Sequence, residues 1–276
     1  MEALALRTAP DGVLHVVRHV PAGARGIVFL CHGLGEHCGR YGHVIDALVA
    51  AGWGCYAFDL RGHGRSGGRR GHVLAWSDYV GDVEAVYAQA EADGHRALPW
   101  IQLGHSMGGL VVVHAAARNA ARLSGLVLCS PLLGVAVQVP VWKAALGRAL
   151  SRWLPALSLA NELDDTNISR DPEEVRLYRE DPLVHDRVTA RWFTEMTAAL
   201  AAAHELAPSM RLPLLLMHGT ADALTDPEGS RRFAAAWGGP VELHLLDGYV
   251  HELFNDTGRE RPLSLLTEWL LQFRQS

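Results

Sequence analysis

The chain has no run of about 18 apolar residues, so no segment of it reads as a membrane span. It is poor in positive charge. Its 25 Lys and Arg against 30 Asp and Glu leave a formal net charge of -5, which excludes a nucleic-acid partner, since phosphate binding needs a basic surface. Cysteine is scarce as well. Cys31, Cys38, Cys55 and Cys129 show no Cys-x-x-Cys spacing, and all but Cys38 sit in apolar, strand-like runs. Buried thiols are therefore expected, not disulfides or metal ligands. The opening residues Met1-Glu2-Ala3-Leu4 lack a basic region and a following apolar stretch, so no secretory signal is predicted and a soluble cytoplasmic protein is expected. Repeats, linkers and low-complexity tracts are missing too. What remains is an ordinary globular composition, 49% apolar and 20% charged over 276 residues, long enough to bury a sizeable core.

Strand-like apolar runs occur at 26–31, 54–59, 100–104, 125–129, 212–217 and 241–246. Helix-compatible stretches lie at 41–51, 77–93, 107–117, 227–237 and 262–274. Short buried strands alternating with helices predict an α/β fold with a mostly parallel sheet covered on both faces. Residues 3–8 and 13–20 alternate more weakly and predict an antiparallel edge hairpin around Pro10-Asp11-Gly12. The rhythm stops after Ser130-Pro131 and resumes near Leu212. A structureless loop of that length is improbable, so an inserted helical cap is expected. The predicted division is core 1–131, cap 132–211 and core 212–276.

The most informative segment is Leu103-Gly104-His105-Ser106-Met107-Gly108-Gly109, entered from an apolar run and left by a helix-compatible one. This is a Gly-x-Ser-x-Gly turn in the strand–turn–helix setting of a nucleophile elbow. A serine hydroxyl is a weak nucleophile and needs a base within reach, so it must stand exposed on a sharp turn. Asp222, in His218-Gly219-Thr220-Ala221-Asp222, and His251, in Asp247-Gly248-Tyr249-Val250-His251, both follow strand-like runs. Catalytic groups of open α/β sheets gather beyond the carboxyl ends of the strands. Ser106, Asp222 and His251 thus form the predicted nucleophile, acid and base, in the chain order Ser…Asp…His. Asp226 precedes Pro227 and reads as a helix N-cap, and His244 falls inside a strand run. Backbone N–H groups of Met107, after the nucleophile, and Leu34, between Gly33 and Gly35, are the predicted oxyanion hole.

Two other motifs fail. Gly62-His63-Gly64-Arg65-Ser66-Gly67 matches a dinucleotide fingerprint, but Gly68, Arg69, Arg70 and Gly71 prolong the loop where a helix would have to open. His251-Glu252-Leu253-Phe254-Asn255 begins like a zinc-protease helix and lacks the second histidine. No metal and no cofactor are expected. Residues 141–154 predict an amphipathic helix with Trp142, Ala145, Leu146, Ala149, Leu150 and Trp153 on one face. That stripe either packs on the core or meets a lipid surface, and core packing is the expectation.

His32-Gly33-Leu34-Gly35-Glu36-His37-Cys38-Gly39-Arg40-Tyr41 resembles the His-Gly-x-Gly-Glu-His…Arg-Tyr signature of bacterial monoacylglycerol lipases, in the α/β-hydrolase superfamily with lysophospholipases and the serine aminopeptidase S33 family. Phe58-Asp59-Leu60-Arg61-Gly62-His63-Gly64-Arg65-Ser66-Gly67-Gly68, the elbow and the segments around Asp222 and His251 follow in that family's order. Ser169-Arg170-Asp171-Pro172 and Tyr178-Arg179-Glu180-Asp181-Pro182-Leu183 extend the likeness into the cap, so it covers residue 26 to the C-terminus. The resemblance implies cofactor-free hydrolysis of monoacylglycerols to fatty acid and glycerol, with Glu36 and Arg40 near the polar, glycerol side of the pocket. A lysophospholipase or general carboxylesterase shares most of these motifs. A non-catalytic hydrolase-fold receptor is the alternative of another class. Some relatives carry a histidine three residues after the catalytic one, where this chain has Phe254. The expected partner is a monoacylglycerol or similar lipid ester, with transient contact between cap and membrane surface as a further reading.

Overall fold

The computed structural model describes residues 1–8, 12–136 and 141–273, with the backbone alone for 141–146. In chain order, β1 (Glu2–Thr8), β2 (Gly12–His19) and β3 (Ile27–Cys31) are followed by α1 (Gly42–Ala50), β4 (Gly54–Phe58), α2 (Trp76–Ala92), β5 (Trp100–His105), α3 (Met107–Asn119) and β6 (Gly125–Cys129). Then come α4 (Val141–Trp153), β7 (Ser158–Ala160), α5 (Pro172–Glu180), β8 (Arg187–Thr189) and α6 (Ala190–Leu206). The chain closes with β9 (Leu214–Gly219), α7 (Pro227–Ala236), β10 (Val241–Leu246) and α8 (Glu260–Leu270).

Among the described residues the main sheet runs β1-β2-β4-β3-β5-β6-β9-β10. It is parallel from β4 to β10, and β1 and β2 form the expected antiparallel edge hairpin, paired from Glu2 opposite Arg18 to Thr8 opposite Gly12. The turn residues proposed for that hairpin, Pro10 and Asp11, lie outside the described residues. β3, β5, β6 and β9 are buried along their whole length. Both faces of the sheet are therefore covered, which is why these strands read as continuous apolar runs without alternation. Alternate side chains serve separate cores. Ile27, Phe29 and Cys31 face the cluster under α2 and α3, while Val28 and Leu30 face the one under α1 and α8.

The segment between β6 and β9 differs from the expectation in one element. Besides helices it holds an antiparallel ribbon, β7 with β8. Three-residue strands are too short to carry a period-two signal, so nothing in the pattern announced them. The insertion also shares a core with the sheet, since Trp192, Met196, Ala199 and Ala203 of α6 join the cluster of Leu110 and Val113 from α3.

Helix α4 falls where its periodicity placed it, but its described end contradicts the packing expectation. Trp153 is 77% exposed. The face turned to α6 runs through Gly147, whose Cβ position lies 3.3 Å from Phe193, and Ser151, whose hydroxyl lies 2.7 Å from that of Thr194. Trp142, Ala145 and Leu146 have side chains outside the described residues.

Candidate active site

Strand β5 ends at His105 and helix α3 begins at Met107, so one residue makes the whole turn. Ser106 takes φ 52°, ψ -120°, a region a side chain adopts only at a cost of about 1–3 kcal/mol. The flanking glycines are required by space. A Cβ on Gly104 would sit 2.6 Å from the Gly108 carbonyl oxygen, and one on Gly108 would sit 2.3 Å from that of His32. Strain at Ser106 is thus held by close backbone packing on both sides.

The turn presents Ser106 Oγ 2.9 Å from His251 Nε2. His251 Nδ1 in turn lies 2.8 Å from Asp222 Oδ2. Asp222 follows β9 and His251 follows β10, both at the carboxyl edge. Asp222 Oδ1 accepts the N–H groups of Leu224 at 2.8 Å and Thr225 at 3.0 Å. Its Oδ2 also accepts the Thr225 hydroxyl at 2.8 Å and lies 3.1 Å from His218 Nε2. Burial alone would favour a neutral Asp222, but His251 and His218 outweigh it and hold the carboxyl well below the usual carboxylate range. Burial lowers His251 too, yet Asp222, with Glu252 and Glu36, lifts it above the ordinary 6.5. Asp226 is engaged elsewhere, its side chain accepting the Glu228 N–H as the N-cap of α7. His105 packs its ring 4.8 Å from that of His251, and burial and that neighbour push it down to about 4.

Leu34 and Met107 line one cavity together with Ser106 and His251. Met107 is the first residue of α3, so its N–H has no intrahelical acceptor and points out of the helix start. The Leu34 turn is pinned on both sides: Gly33 N–H donates to Glu36 Oε1 at 2.6 Å, and the Gly35 carbonyl accepts the His185 N–H at 2.8 Å. Gly35 has φ +77°, and a Cβ there would meet the His185 carbonyl oxygen at 2.3 Å.

Glu36 faces the cavity, whereas Arg40 is absent from its lining. The Arg40 guanidinium lies beneath, bound to both oxygens of Glu252 at 2.6 Å and to Glu36 Oε2 at 2.9 Å. Of the two residues that the resemblance put on the polar side, Glu36 lines the cavity itself and Arg40 stands behind it, paired with Glu36 and Glu252. Burial opposes charge on Glu36, but Arg40 and the neighbouring histidines hold it down to about 2. The cavity measures about 500 Å³. Leu132, Val188, Trp192, Phe193, Met196 and Leu224 supply apolar walls, and Glu36, Tyr178, Arg179, Asp181, His185 and Glu252 supply polar ones.

The loop 62–67 braces this floor. Asp59 accepts the N–H groups of Cys38 and Arg65, both at 2.8 Å, tying the loop to the segment after β3. Among the described residues His15, Cys38 and Asp59 are the one group with metal-type donor atoms within 4.8 Å of one another. Both Asp59 oxygens already serve those backbone amides. His218, Thr225 and Glu252 were not singled out from the sequence. Glu252 carries a signal in its position next to His251 and His218 in the segment that ends at Asp222, whereas Thr225 carries none.

A family model described as serine aminopeptidase, S33, matches residues 22–258. The chain belongs to this family. It is 37% identical over 252 residues to a monoacylglycerol lipase of Mycolicibacterium smegmatis, covering 90% of this chain and 88% of that one. It is 34% identical to the monoglyceride lipase of Rattus norvegicus, across 76% of this chain and 70% of the relative. Among solved structures, a monoacylglycerol lipase of Paleococcus ferrophilus superposes with a TM-score of 0.86 at 37% identity, covering 94% of this chain and 99% of that one. The fold of this S33 member is the α/β-hydrolase fold. Among the described residues no helix is long and apolar enough to cross a membrane.

Proposed function

We propose that this chain hydrolyses monoacylglycerols to fatty acid and glycerol through an acyl-enzyme on Ser106. One observation carries the reading: the hydrogen-bonded line Ser106–His251–Asp222 opens into a cavity lined by both apolar and polar side chains. His251 Nε2 takes the Ser106 proton as Oγ attacks the ester carbonyl. Asp222 holds the imidazole in the tautomer with Nδ1 protonated and stabilises its charge. The N–H groups of Leu34 and Met107 receive the developing oxyanion. His251 then protonates the departing glycerol oxygen, and a water activated by the same ring releases the fatty acid. These steps consume no cofactor.

The apolar walls favour an acyl chain, which gains roughly 0.8 kcal/mol per methylene buried. The polar walls suit a small neutral headgroup. Glu36, Asp165, Asp181, Asp186 and Glu252 line the cavity against one arginine, Arg179, a balance that disfavours an anionic headgroup. Domain limits of 1–131, 132–211 and 212–276 describe core and cap in this reading. Trp153, Leu154, Leu159 and Leu163, all exposed, make the cap the side that meets lipid surfaces transiently. Four buried, free cysteines suit a reducing compartment such as the cytoplasm. Parallel assays on 1-oleoylglycerol, oleoyl lysophosphatidylcholine, oleoyl lysophosphatidate and p-nitrophenyl butyrate test the assignment. A preference for 1-oleoylglycerol over both lysophospholipids supports it, and a preference for either lysophospholipid overturns it.

A further inference from the structure

Arg40 is a charged side chain buried beneath the cavity floor, and every polar reach it makes goes to the machinery around it. Both oxygens of Glu252 accept from its two terminal nitrogens at 2.6 Å, the fork-on-fork geometry only a guanidinium offers. Glu252 is bonded in the chain to His251. Its Oε2 also accepts the Asn255 amide at 3.0 Å. On the other side Arg40 reaches Glu36 Oε2 at 2.9 Å. Glu36 Oε1 accepts the Gly33 N–H at 2.6 Å and the Tyr41 hydroxyl at 2.7 Å, and so fixes the turn that carries Leu34. Above the guanidinium lies the ring of Tyr178 from α5, 4.8 Å to its centroid. One cation thereby joins three separate pieces: the turn after β3, the loop after β10, and the insertion.

We propose that Arg40 is a positioning residue, which holds the His251 loop and the Leu34 turn in register on either side of the Ser106 hydroxyl. The proposal rests on the reading of Ser106 as the nucleophile. Arg40 does not touch substrate in it, and the glycerol side of the cavity is left to residues that line it. Register matters because a misplacement of about 1 Å costs on the order of 100-fold in rate. The clamp also sets charge next to the base, since one guanidinium against two carboxylates leaves a single negative charge there. The other titratable groups facing this pair are Asp222 and His105 beside His251, His32 beside Glu36, Tyr41 and His43 near Arg40, and Tyr178 and Asp181 from the insertion.

The test compares Arg40→Gln, Arg40→Lys and Glu252→Gln on 1-oleoylglycerol and on p-nitrophenyl acetate, an ester with no glycerol. For Arg40→Gln, kcat should fall on the order of 10- to 100-fold on both esters, with KM for 1-oleoylglycerol within about twofold. The acidic limb of kcat/KM should move in opposite directions. Arg40→Gln, which leaves two carboxylates without their cation, shifts it up by on the order of one pH unit, and Glu252→Gln shifts it down. Arg40→Lys keeps the charge but not the fork, so kcat falls while the limb stays near that of the wild type. A role in folding alone would lower the melting temperature without signed limb shifts. If Arg40→Gln does not fold, Glu252→Gln decides: a downward limb with unchanged KM supports the clamp, and an unmoved limb overturns it. Loss confined to KM for 1-oleoylglycerol, with p-nitrophenyl acetate cleaved normally, would make Arg40 a substrate ligand and overturn the proposal. A wild type that cleaves both esters while Arg40→Gln matches it sinks the clamp alone. A wild type that cleaves neither sinks the reading of Ser106 and the clamp with it.

Discussion

Ser106 Oγ lies 2.9 Å from His251 Nε2 although 145 positions separate them in the chain. The sheet order explains the meeting. β5, which delivers Ser106, and β10, which delivers the His251 loop, are parallel members of one sheet, with β6 and β9 between them, so their carboxyl ends open onto the same edge. β9 delivers Asp222 between the two, where its Oδ2 meets His251 Nδ1.

The choice of acid is directly testable. Asp222→Asn should lower kcat on p-nitrophenyl butyrate by about 10⁴-fold, because the ring loses its tautomer partner. Asp226→Asn should leave kcat near the wild-type value, since Asp226 caps α7 and asparagine caps equally well. The reverse ranking would show that Asp226 is the acid.

The pH profile has a definite sign. His251 must be neutral to accept the Ser106 proton, and its neighbours raise it above 6.5. kcat/KM should therefore rise with pH through an acidic limb that lies above 6.5. A limb below that value would contradict the electrostatics described for Asp222, Glu252 and Glu36.

Acid stability follows from Glu36. Its folded value of about 2 lies below the ordinary 4.5, so the stability it contributes is present above 4.5 and is lost as pH falls from there toward 2. Urea unfolding at stepped pH should show Glu36→Gln losing less stability across that window than the wild type. Equal losses would mean that Glu36 is not held down in the folded state.

The exposed apolar residues of the insertion predict a split between aggregated and soluble substrates. Trp153→Ser with Leu159→Ser should weaken binding to phosphatidylglycerol vesicles and raise the apparent KM for aggregated 1-oleoylglycerol. Hydrolysis of p-nitrophenyl acetate should stay the same, because both side chains are exposed and stand apart from the cavity lining. Equal loss on both substrates with a lowered melting temperature would assign them to packing.

The meeting of Ser106, Asp222 and His251 was legible because each follows a recognisable strand, and strand ends of a parallel sheet converge. The sheet was legible for the same reason, since strands buried on both faces leave apolar runs that turns interrupt. Arg40 was legible as a residue and not as a contact. Its partner Glu252 lies 212 positions away, and nothing in a run of residues says which buried carboxylate a guanidinium will meet. The ribbon of β7 and β8 was not legible because three residues make no pattern. Periodicity placed α4 correctly, but Trp153 faces solvent because the contact with α6 runs instead through Gly147 and Ser151, where small side chains let the two helices approach.

If Ser106 is the nucleophile that cleaves a monoacylglycerol, oleate release from 1-oleoylglycerol must depend on its hydroxyl, and the wild type compared with Ser106→Ala measures that dependence. The wild type should release oleate and glycerol in equal amounts, and Ser106→Ala, folded to the same melting temperature within about 4 °C, should be slower by about 10⁶-fold. Oleate release by Ser106→Ala at a rate near that of the wild type would rule out Ser106 as the nucleophile.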